Sequence, residues 1–373
     1  MVGLSHCAMG GDIGGIIMTA LPITDIYKDE RAALAPTRSS TRSFERLTID
    51  HPDGTIAAWR SPAFTEPGQT GQNANTSPHL VFAHATGLCA AAYLPILRQL
   101  DPHIGVTAVD MRGHGLTQLP TPMPLASWQV YADDLAHVVK TVRNEPPPSR
   151  AQITGARAKA KQARGPLYLA GHSMGAVSLT LMLARNPHLA ARLLLLEPVA
   201  MPQWFNRFAG TPAWGPFRRR FYMVVNAQNR RDGWASRAAV RTSYLKKRFF
   251  AAWDPDCLAG YLEDGLTAAP HTDDPERRIR LSCTPQWEGA TFGAQANAFW
   301  PAAKKVADRL RVVSAASKYS TVRKGARARF RRLGIDLTVL PGVDHMFPVC
   351  EPAHMVDALQ TMMNPPGFLK RQS

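Results

Sequence analysis

The chain has 373 residues, 45% of them hydrophobic, and a formal charge of +16 at pH 7. This length favours one α/β domain of about 250 residues with a large insertion over two equal domains, and the apolar content excludes a disordered chain. The basic residues are scattered and lack the interleaved aromatics of a single-strand-binding groove. We therefore expect no nucleic-acid partner, while peripheral contact with an anionic membrane stays open.

The cysteines and the chain ends bear on the compartment. The five cysteines are odd in number, far apart and without Cys-x-x-Cys spacing, so we expect neither a disulfide framework nor a zinc site. No stretch approaches ~20 uninterrupted apolar residues, and no basic residue precedes the mildly apolar stretch Ile13–Ile23. The last residues, Lys-Arg-Gln-Ser, are not a peroxisomal address. These features predict a cytoplasmic protein.

The predicted elements begin after residues 1–42, which we expect to form a loosely structured N-terminal arm. Phe44–Ile49 and Thr55–Trp59 flank a His-Pro-Asp-Gly turn signal and predict two short strands. From residue 80 onward, short apolar strands alternate with helices, which predicts an α/β fold with a mostly parallel sheet flanked by helices. The predicted strands are Leu80–His84, Val106–Asp110, Leu167–Ala170, Leu193–Leu196, Val312–Ser314 and Leu337–Leu340. The predicted helices lie near Ala91–Leu100, Ser127–Val142, Met174–Asn186, Val322–Leu333 and Pro352–Met363.

Two segments interrupt this alternation. Glu145–Gly165 is rich in Pro, Ala, Lys and Arg and predicts a surface insertion. The second segment, 201–300, is rich in aromatic residues and follows the strand that ends near Leu196. We expect it to form a mainly helical cap, or lid, on an α/β core made of 43–200 and 301–373. Most of its aromatic side chains should form the cap's own core, and a minority should line an apolar substrate pocket.

The strongest chemical motif is Gly171-His-Ser-Met-Gly175, which follows a predicted strand and opens a predicted helix. A sharp strand-to-helix turn needs small residues on both sides of its serine, and it presents Ser173 Oγ at a helix N-terminus, where negative charge is favoured. The alternative, an ordinary helix N-cap serine, explains neither glycine. The pattern predicts that Ser173 is a catalytic nucleophile.

A histidine in a loop after the last strand is the expected general base for such a serine. His345 occupies that place, in the loop that follows Leu337–Leu340. The negative oxygen that forms during attack needs two backbone N–H donors, the oxyanion hole. We expect one from Met174, directly after the nucleophile, and one from Thr86, in the loop after Leu80–His84, where the Thr86 hydroxyl could assist.

Five short motifs occur in one order along the chain. They are His84-Ala-Thr-Gly87, Asp110-Met-Arg-Gly-His-Gly115, Gly171-His-Ser-Met-Gly175, Glu197-Pro-Val199 and Gly342-Val-Asp-His345. Together they resemble the α/β-hydrolase fold-1 superfamily over roughly residues 44 to 365, which implies its fold, its serine mechanism and a cap. Within the cap, Trp253-Asp-Pro255 and Tyr261-Leu-Glu-Asp-Gly265 resemble a branch of microbial hydrolases, peroxisomal lipase-like proteins and fungal toxin-biosynthesis hydrolases. The pair His84-Ala85 departs from the His-Gly of many relatives, and Asp110–Gly115 is expected to be a structural turn.

The base also needs a buried carboxylate, which this superfamily usually places after the next-to-last strand. No Asp or Glu occurs between Arg309 and Ile335, so that position is empty. Asp344 is adjacent to the base and poorly placed to face it. Glu197 follows four leucines at the end of a strand, where a lone carboxylate is costly without a partner. We expect Glu197 to be the acid; a dyad without an acid and a cap aspartate are the alternatives.

These expectations define a serine hydrolase that cleaves a carboxylic ester, or a related acyl bond, of a small and largely apolar molecule through an acyl-enzyme. No metal or organic cofactor is expected. Thioester or lactone hydrolysis, acyl transfer and C–C bond hydrolysis stay open for the same residues, and basic residues of the cap could hold a substrate carboxylate. A catalytically impaired ligand-binding protein is the rival from another class. The oligomeric state is open.

Overall fold

The structure is a computed structural model that describes residues 42–63, 77–144, 165–269 and 273–363. The N-terminal arm predicted over 1–42 and the surface insertion predicted over 145–165 lie, apart from their last residues, outside the described part of the chain. Within the described ranges, no helix is both long and apolar enough to cross a membrane.

The strands of the described residues form two sheets. They are β1 (Glu45–His51), β2 (Gly54–Ser61), β3 (His79–Ala83), β4 (Gly105–Val109), β5 (Leu167–His172), β6 (Arg192–Leu196), β7 (Gly233–Trp234), β8 (Leu266–Ala268), β9 (Ile279–Leu281), β10 (Leu310–Ala315) and β11 (Asp336–Leu340). The main sheet has eight strands in the order β1-β2-β4-β3-β5-β6-β10-β11. Its strands run parallel from β4 to β11, while β2 is antiparallel to both β1 and β4.

The α-helices of the described residues lie on both faces of this sheet and in the insertion. They are α1 (Leu94–Leu97), α2 (Gln129–Asn144), α3 (Met174–Arg185), α4 (Gln203–Ala209), α5 (Trp214–Arg218), α6 (Tyr222–Gln228), α7 (Arg237–Leu245), α8 (Arg248–Ala251), α9 (Pro255–Asp264), α10 (Pro285–Gly293), α11 (Phe299–Lys305), α12 (Lys324–Arg332), α13 (Phe347–Cys350) and α14 (Pro352–Met363). The predicted α/β fold with a mostly parallel sheet is confirmed. Each predicted strand begins and ends within two residues of the bounds of an observed strand.

The helix predicted near Ala91–Leu100 is wrong in its extent. The segment begins as a 3-10 helix over Ala90–Tyr93 and continues as the four-residue helix α1. Pro95 accounts for the difference, because it has no N–H to donate to the carbonyl of Ala91 four residues earlier. Proline is tolerated in the first turn of a helix, and α1 places it there.

The core lies on both faces of the sheet, as β6 illustrates. Leu193 and Leu195 pack in the layer that contains α2, α3 and α11, whereas Leu194 and Leu196 pack in the layer of α9 and α14. All four side chains are fully buried. Successive side chains of a strand point to opposite faces, so a strand covered on both sides needs an uninterrupted apolar run. Burial of each leucine contributes about 2 kcal/mol.

The inserted segment between β6 and β10 contains α4 to α10 and the antiparallel sheet β7-β9-β8. It contacts the loops that follow β3 and β4. The backbone of α9 approaches Ala91 so closely that a Cβ on Gly260 would lie 2.1 Å from the Ala91 carbonyl oxygen. On α10, Trp287 Nε1 donates a hydrogen bond to the Arg112 carbonyl at 3.0 Å. The insertion is therefore fixed beside the carboxyl ends of the parallel strands, where ligands bind in open α/β sheets.

Candidate active site

Ser173 lies at the turn between β5 and α3 in a strained backbone conformation, with φ of 56° and ψ of −113°. The residues two positions before and after it must be glycine. A Cβ on Gly171 would lie 2.6 Å from the amide nitrogen of Ala176, and a Cβ on Gly175 would lie 2.4 Å from the carbonyl oxygen of Ala83. The Ser173 hydroxyl caps no N–H of α3, so the helix-cap interpretation of this serine does not fit. The hydroxyl is free for another partner.

That partner is His345, in the loop after β11. His345 Nε2 lies 3.1 Å from Ser173 Oγ, and His345 Nδ1 lies 3.0 Å from Glu197 Oε2. Because the carboxylate can only accept, Nδ1 carries the proton and Nε2 accepts from the serine hydroxyl. The Ser173 residue is 6% exposed, whereas 19% of the His345 side chain is exposed. The structure thus brings these three residues, predicted from distant parts of the sequence, into one hydrogen-bonded series.

Glu197 directly follows β6 and is fully buried. Its Oε1 accepts from the Ala315 N–H at 2.6 Å and from Ser320 Oγ at 2.8 Å. Its Oε2 accepts from the Thr321 N–H at 3.0 Å in addition to His345. Burial alone would raise the pKa of Glu197, but the hydrogen bond and charge of His345 outweigh it, with the Ala315 and Ser320 donors, and the pKa is lowered. Glu197 is therefore ionised at neutral pH.

The loop after β10 has no carboxylate in the position where this fold usually places one. Residues 315–321 contain no Asp or Glu, and their backbone and hydroxyl groups donate to the Glu197 carboxylate instead. A buried carboxylate without such donors would be strongly destabilising. The end of β6 positions the carboxylate, and the loop after the neighbouring strand β10 supplies the donors that stabilise its charge.

Backbone strain is concentrated at the nucleophile candidate Ser173 and at Glu197. Among the described residues, Ser173 (φ 56°) and Glu197 (φ 46°) are the non-glycine residues with positive φ. Such a conformation costs on the order of 1–3 kcal/mol and persists only where the surroundings impose it. Ser173 N–H donates to the Leu196 carbonyl, and Glu197 N–H donates to the Val313 carbonyl. Both residues are thus held by the ends of neighbouring strands, in a place typical of a functional site.

The expected oxyanion donors lie beside this series. The loop after β3 runs against the first turn of α3, because a Cβ on Gly175 would lie 2.6 Å from the His84 carbonyl oxygen. In that loop, the Ala85 N–H points to Tyr93 Oη at 3.4 Å and the Gly87 N–H donates to His114. Within the described chain, no hydrogen bond is made by the N–H of Thr86 or of Met174. Both predicted donors are therefore available to a bound oxygen.

Sequence reasoning missed a second hydrogen-bonded series, which connects His345 to the strand-to-helix turn Gly171–Gly175, called the elbow below. His172 Nε2–H donates to the His345 carbonyl at 2.9 Å, so its Nδ1 must accept, and Tyr93 Oη–H donates to it at 2.7 Å. Burial, and then the neighbouring His345, lowers the pKa of His172 far below its usual value, so the ring is neutral. No sequence signal marks Tyr93, because its partner lies 79 residues away.

The turn motifs after β3 and β4 have structural roles. Asp110 Oδ1 accepts from the Ala90 N–H at 2.7 Å and Oδ2 accepts from the Leu116 N–H at 2.9 Å. His84 Nε2 accepts from the Met111 N–H at 3.0 Å, and burial lowers the pKa of His84 to about 3. Neither side chain is hydrogen-bonded to Ser173 or His345 within the described residues. They fix the loops that surround the site.

The alternative acids are engaged elsewhere. Asp344 Oδ1 accepts from the Met346 N–H at 2.9 Å. Asp274 caps the 3-10 turn Pro275–Arg277 through the Glu276 N–H, and Asp273 is exposed. Over the described ranges, no three His, Cys, Asp or Glu side chains are grouped in the way a metal site requires. Glu197 is thus the carboxylate that faces the base.

An ion pair of the insertion lies next to the loop that follows β3. Arg230 Nη1 donates to Glu288 Oε2 at 2.6 Å, and Arg230 Nη2 donates to Tyr244 Oη at 3.1 Å. A Cβ on Gly87 would lie 2.4 Å from Glu288 Oε1 and 3.7 Å from Arg230 Nη1. Burial opposes the charge of Arg230, yet the Glu288 carboxylate raises the pKa of the guanidinium well above its usual value. A permanent positive charge therefore lies beside the loop that bears Thr86.

Known proteins resemble the chain in sequence and in fold. The profile of the alpha/beta hydrolase family matches residues 80–356. The 2-(acetamidomethylene)succinate hydrolase of Mesorhizobium japonicum is 28% identical over 122 residues, which are 33% of this chain and 36% of that protein. The match thus spans about a third of the length of this curated relative.

Two solved structures have a similar fold. A crystal structure of E-2-(acetamidomethylene)succinate hydrolase has a TM-score of 0.63 at 19% identity and covers 86% of this chain and 100% of that one. A peroxisomal α/β-hydrolase of Saccharomyces cerevisiae has a TM-score of 0.64 at 16% identity, with 86% and 88% covered. At these identities the likeness is one of fold.

Proposed function

Because the chain belongs to the alpha/beta hydrolase family, we propose that it is a serine hydrolase that cleaves a carboxylic ester, or a related acyl bond, of a small and largely apolar substrate. The observation that carries the proposal is the hydrogen-bonded series from Ser173 through His345 to Glu197, with distances of 3.1 and 3.0 Å. Nucleophile, base and orienting acid in this geometry are the parts that acyl transfer through a covalent intermediate requires.

In the first half of the reaction, Ser173 Oγ attacks the substrate carbonyl carbon while His345 Nε2 takes the hydroxyl proton. The imidazolium that forms keeps its Nδ1–H on Glu197, whose negative charge stabilises it. The carbonyl oxygen becomes negative and accepts hydrogen bonds from the N–H groups of Met174 and Thr86. Collapse of this intermediate breaks the bond to the leaving group, which receives the proton from His345, and leaves an acyl-serine.

The second half repeats these steps with water. His345 Nε2 removes a proton from a water molecule, which attacks the acyl carbon of the Ser173 ester. The same two N–H groups stabilise the second oxyanion, and Ser173 regains its proton from His345 as the acid product leaves. Apart from the substrate and this water molecule, the steps use side chains and backbone groups of the chain.

Two features support an acyl substrate with an apolar part. A serine nucleophile forms an ester that water can hydrolyse, whereas dehalogenation and epoxide opening in this fold need a carboxylate nucleophile. The inserted segment beside the site is rich in aromatic residues, and small-molecule pockets are mostly apolar with few polar anchors. We infer that the insertion acts as a cap that closes over the substrate.

A second candidate is an acyl compound that also bears a carboxylate. The ion pair of Arg230 and Glu288 beside Gly87 favours it, because a substrate carboxylate would compete with Glu288 for the guanidinium. The name of the Mesorhizobium relative, which contains both an acetamido group and succinate, points the same way. Replacing Arg230 by Met would then raise KM for a carboxylate-bearing ester and leave the KM of its neutral methyl ester unchanged.

The proposal is tested by turnover of p-nitrophenyl esters from acetyl to dodecanoyl, with the Ser173→Ala variant as the control. We expect a maximum at medium chain length in the wild-type protein and no turnover in the variant. Greatest activity on the acetyl ester, with a steady fall at longer chains, would contradict the apolar pocket. Turnover of thioesters or of a diketone without any ester turnover would favour one of the alternative reactions. Binding of these compounds without any turnover would indicate a ligand-binding homologue.

A further inference from the structure

The outer surface of the insertion exposes large aromatic side chains. Trp204 is 65% exposed, Phe217 47% and Tyr222 45%. Exposed apolar residues are ordinary when single, but a contiguous group on one surface indicates an interaction site. These three residues lie within α4, α5 and α6, which follow one another directly along the chain.

Two of these exposed rings, Trp204 and Phe217, belong to one packed group. Trp204 and Phe208 are four residues apart on α4 and are therefore neighbours on its surface. The ring of Phe208 packs edge-on against Phe217 at 5.6 Å between centroids. Beneath them, the buried Trp214 packs against both Phe208 and Phe217, at 5.7 and 5.3 Å. The exposed rings are thus held by a small core of the insertion, so their exposure is built into the fold.

The surroundings of these rings are strongly basic. The stretch 198–231 contains six arginines and no Asp or Glu. Arg207, Arg219 and Arg220 are exposed, and no ion pair with an acidic side chain engages them within the described residues. Arg207 is three residues from Trp204 on α4, so charge and aromatic ring lie side by side.

A second basic segment adjoins the first in space. The stretch 309–335 contains nine Lys or Arg and again no Asp or Glu. Arg329 of α12 donates to Gln203 Oε1 at 2.5 Å, next to Trp204, and its guanidinium lies 4.6 Å from the ring centre of Trp300. Two segments that are a hundred residues apart in sequence therefore form one surface. We call it the basic aromatic face and define it by α4, α5, the start of α6, and α12.

We propose that the basic aromatic face docks the protein on anionic phospholipid membranes. The arginines would bind lipid phosphates and carboxylates, and the rings of Trp204 and Phe217 would enter the boundary between headgroups and acyl chains. The cations of the face match the negative charge of the headgroups, and its projecting apolar rings match the apolar edge of the acyl chains. A second copy of the chain does not fit, because two faces of the same charge repel each other. Nucleic acid fits less well, because these rings pack edge-to-face and do not present a row of open faces for bases.

The test is binding of the full chain to vesicles of phosphatidylcholine with and without phosphatidylserine, measured by cosedimentation. We expect binding only when phosphatidylserine is present, weakening as salt is raised. Trp204→Ala should weaken binding about tenfold through lost apolar contact. Arg219→Glu should weaken it about tenfold or more, whereas Lys140→Glu, the same charge change at an exposed position on α2, should change it less than about twofold.

Circular dichroism establishes that each variant is folded. Because Trp204→Ala and Arg219→Glu change separate positions of the face, one of them still tests the proposal if the other does not fold. Absence of binding to phosphatidylserine vesicles would overturn the proposal. An equal loss in Lys140→Glu would overturn it in favour of a diffuse charge effect. Displacement of the protein from the vesicles by a low concentration of single-stranded RNA would assign the face to nucleic acid. A dimer that Trp204→Ala converts to a monomer would assign it to a second copy.

Discussion

Replacement of Glu197 by Gln exchanges one carboxylate oxygen for an NH2 group in a place where every neighbour donates. If the amide nitrogen takes the Oε2 position, it faces the Thr321 N–H and His345 Nδ1. The imidazole then accepts at Nδ1 and carries its proton on Nε2, where it can no longer take the proton of Ser173. If the amide is flipped, its nitrogen faces the Ala315 N–H and Ser320. Either orientation removes the charge that stabilises the imidazolium.

The expected cost follows from these contacts. Turnover should fall about a hundredfold or more, which corresponds to at least about 2.7 kcal/mol in the activation free energy. The free energy of unfolding should fall by about 1–3 kcal/mol, because buried N–H or O–H donors lose their acceptor. The measurement is kcat on the best p-nitrophenyl ester, for protein shown to be folded by circular dichroism.

The matched control for Glu197→Gln is Asp344→Asn. Asp344 is adjacent to His345 in sequence, but its carboxylate accepts from the Met346 N–H. Its replacement should change kcat by less than about threefold, since it leaves the base and its charge partner untouched. Near-normal turnover in folded Glu197→Gln, or an equal loss in Asp344→Asn, would refute the assignment of the acid.

The remaining predictions concern the elbow and the groups behind it. Gly175→Ala should lower the free energy of unfolding by about 1–3 kcal/mol, because its Cβ would lie 2.4 Å from a β3 carbonyl oxygen. The control is Gly325→Ala on α12, where no atom lies within 4 Å of the added Cβ; it should raise the free energy of unfolding by about 0.5–1 kcal/mol. Thermal unfolding of both variants measures the difference. Tyr93→Phe should lower kcat about tenfold with little change in KM, because His172 would lose the hydroxyl that holds it against the loop of His345. The control Tyr131→Phe also loses a buried hydroxyl contact but should leave kcat nearly unchanged. Folding lowers the pKa of Glu197 below its ordinary value of 4.5, so its charge stabilises the fold above that pH and ceases to do so as pH falls through the lowered value. Urea unfolding should therefore show the stability difference between wild type and Glu197→Gln shrinking below pH 4.5, and a difference independent of pH would contradict the ionised state of the carboxylate.

Much of the α/β core could be predicted because the patterns that identify its strands and turns are local in the sequence. The strand before Glu197 contains four consecutive leucines, and only a strand covered on both faces buries such a run. The turn around Ser173 was recognisable because it leaves room only for glycine at positions 171 and 175. The choice of Glu197 rested on an empty position after β10, and the structure brings its carboxylate within 3.0 Å of His345. Its role as the acid stays a prediction until turnover is measured.

What the sequence could not show depends on contacts between distant segments. The link from Tyr93 through His172 to the His345 carbonyl joins three parts of the chain that no spacing rule connects. The basic residues appear scattered in sequence, yet the contact of Gln203 with Arg329 brings two basic segments together. The donors around Glu197 come from a loop whose composition is ordinary. Such arrangements are set by packing of the whole chain, and local propensity carries no information about them.

The central claim is that Ser173 is an activated nucleophile, and covalent labelling tests it most directly. A fluorophosphonate probe should form one adduct on the peptide that contains Ser173, identified by mass spectrometry, and Ser173→Ala should abolish it. Ser178→Ala should be labelled like wild type, because the Ser178 hydroxyl is buried on α3 without a hydrogen-bond partner among the described residues. Labelling that persists in Ser173→Ala, or that maps to another serine, would contradict the claim.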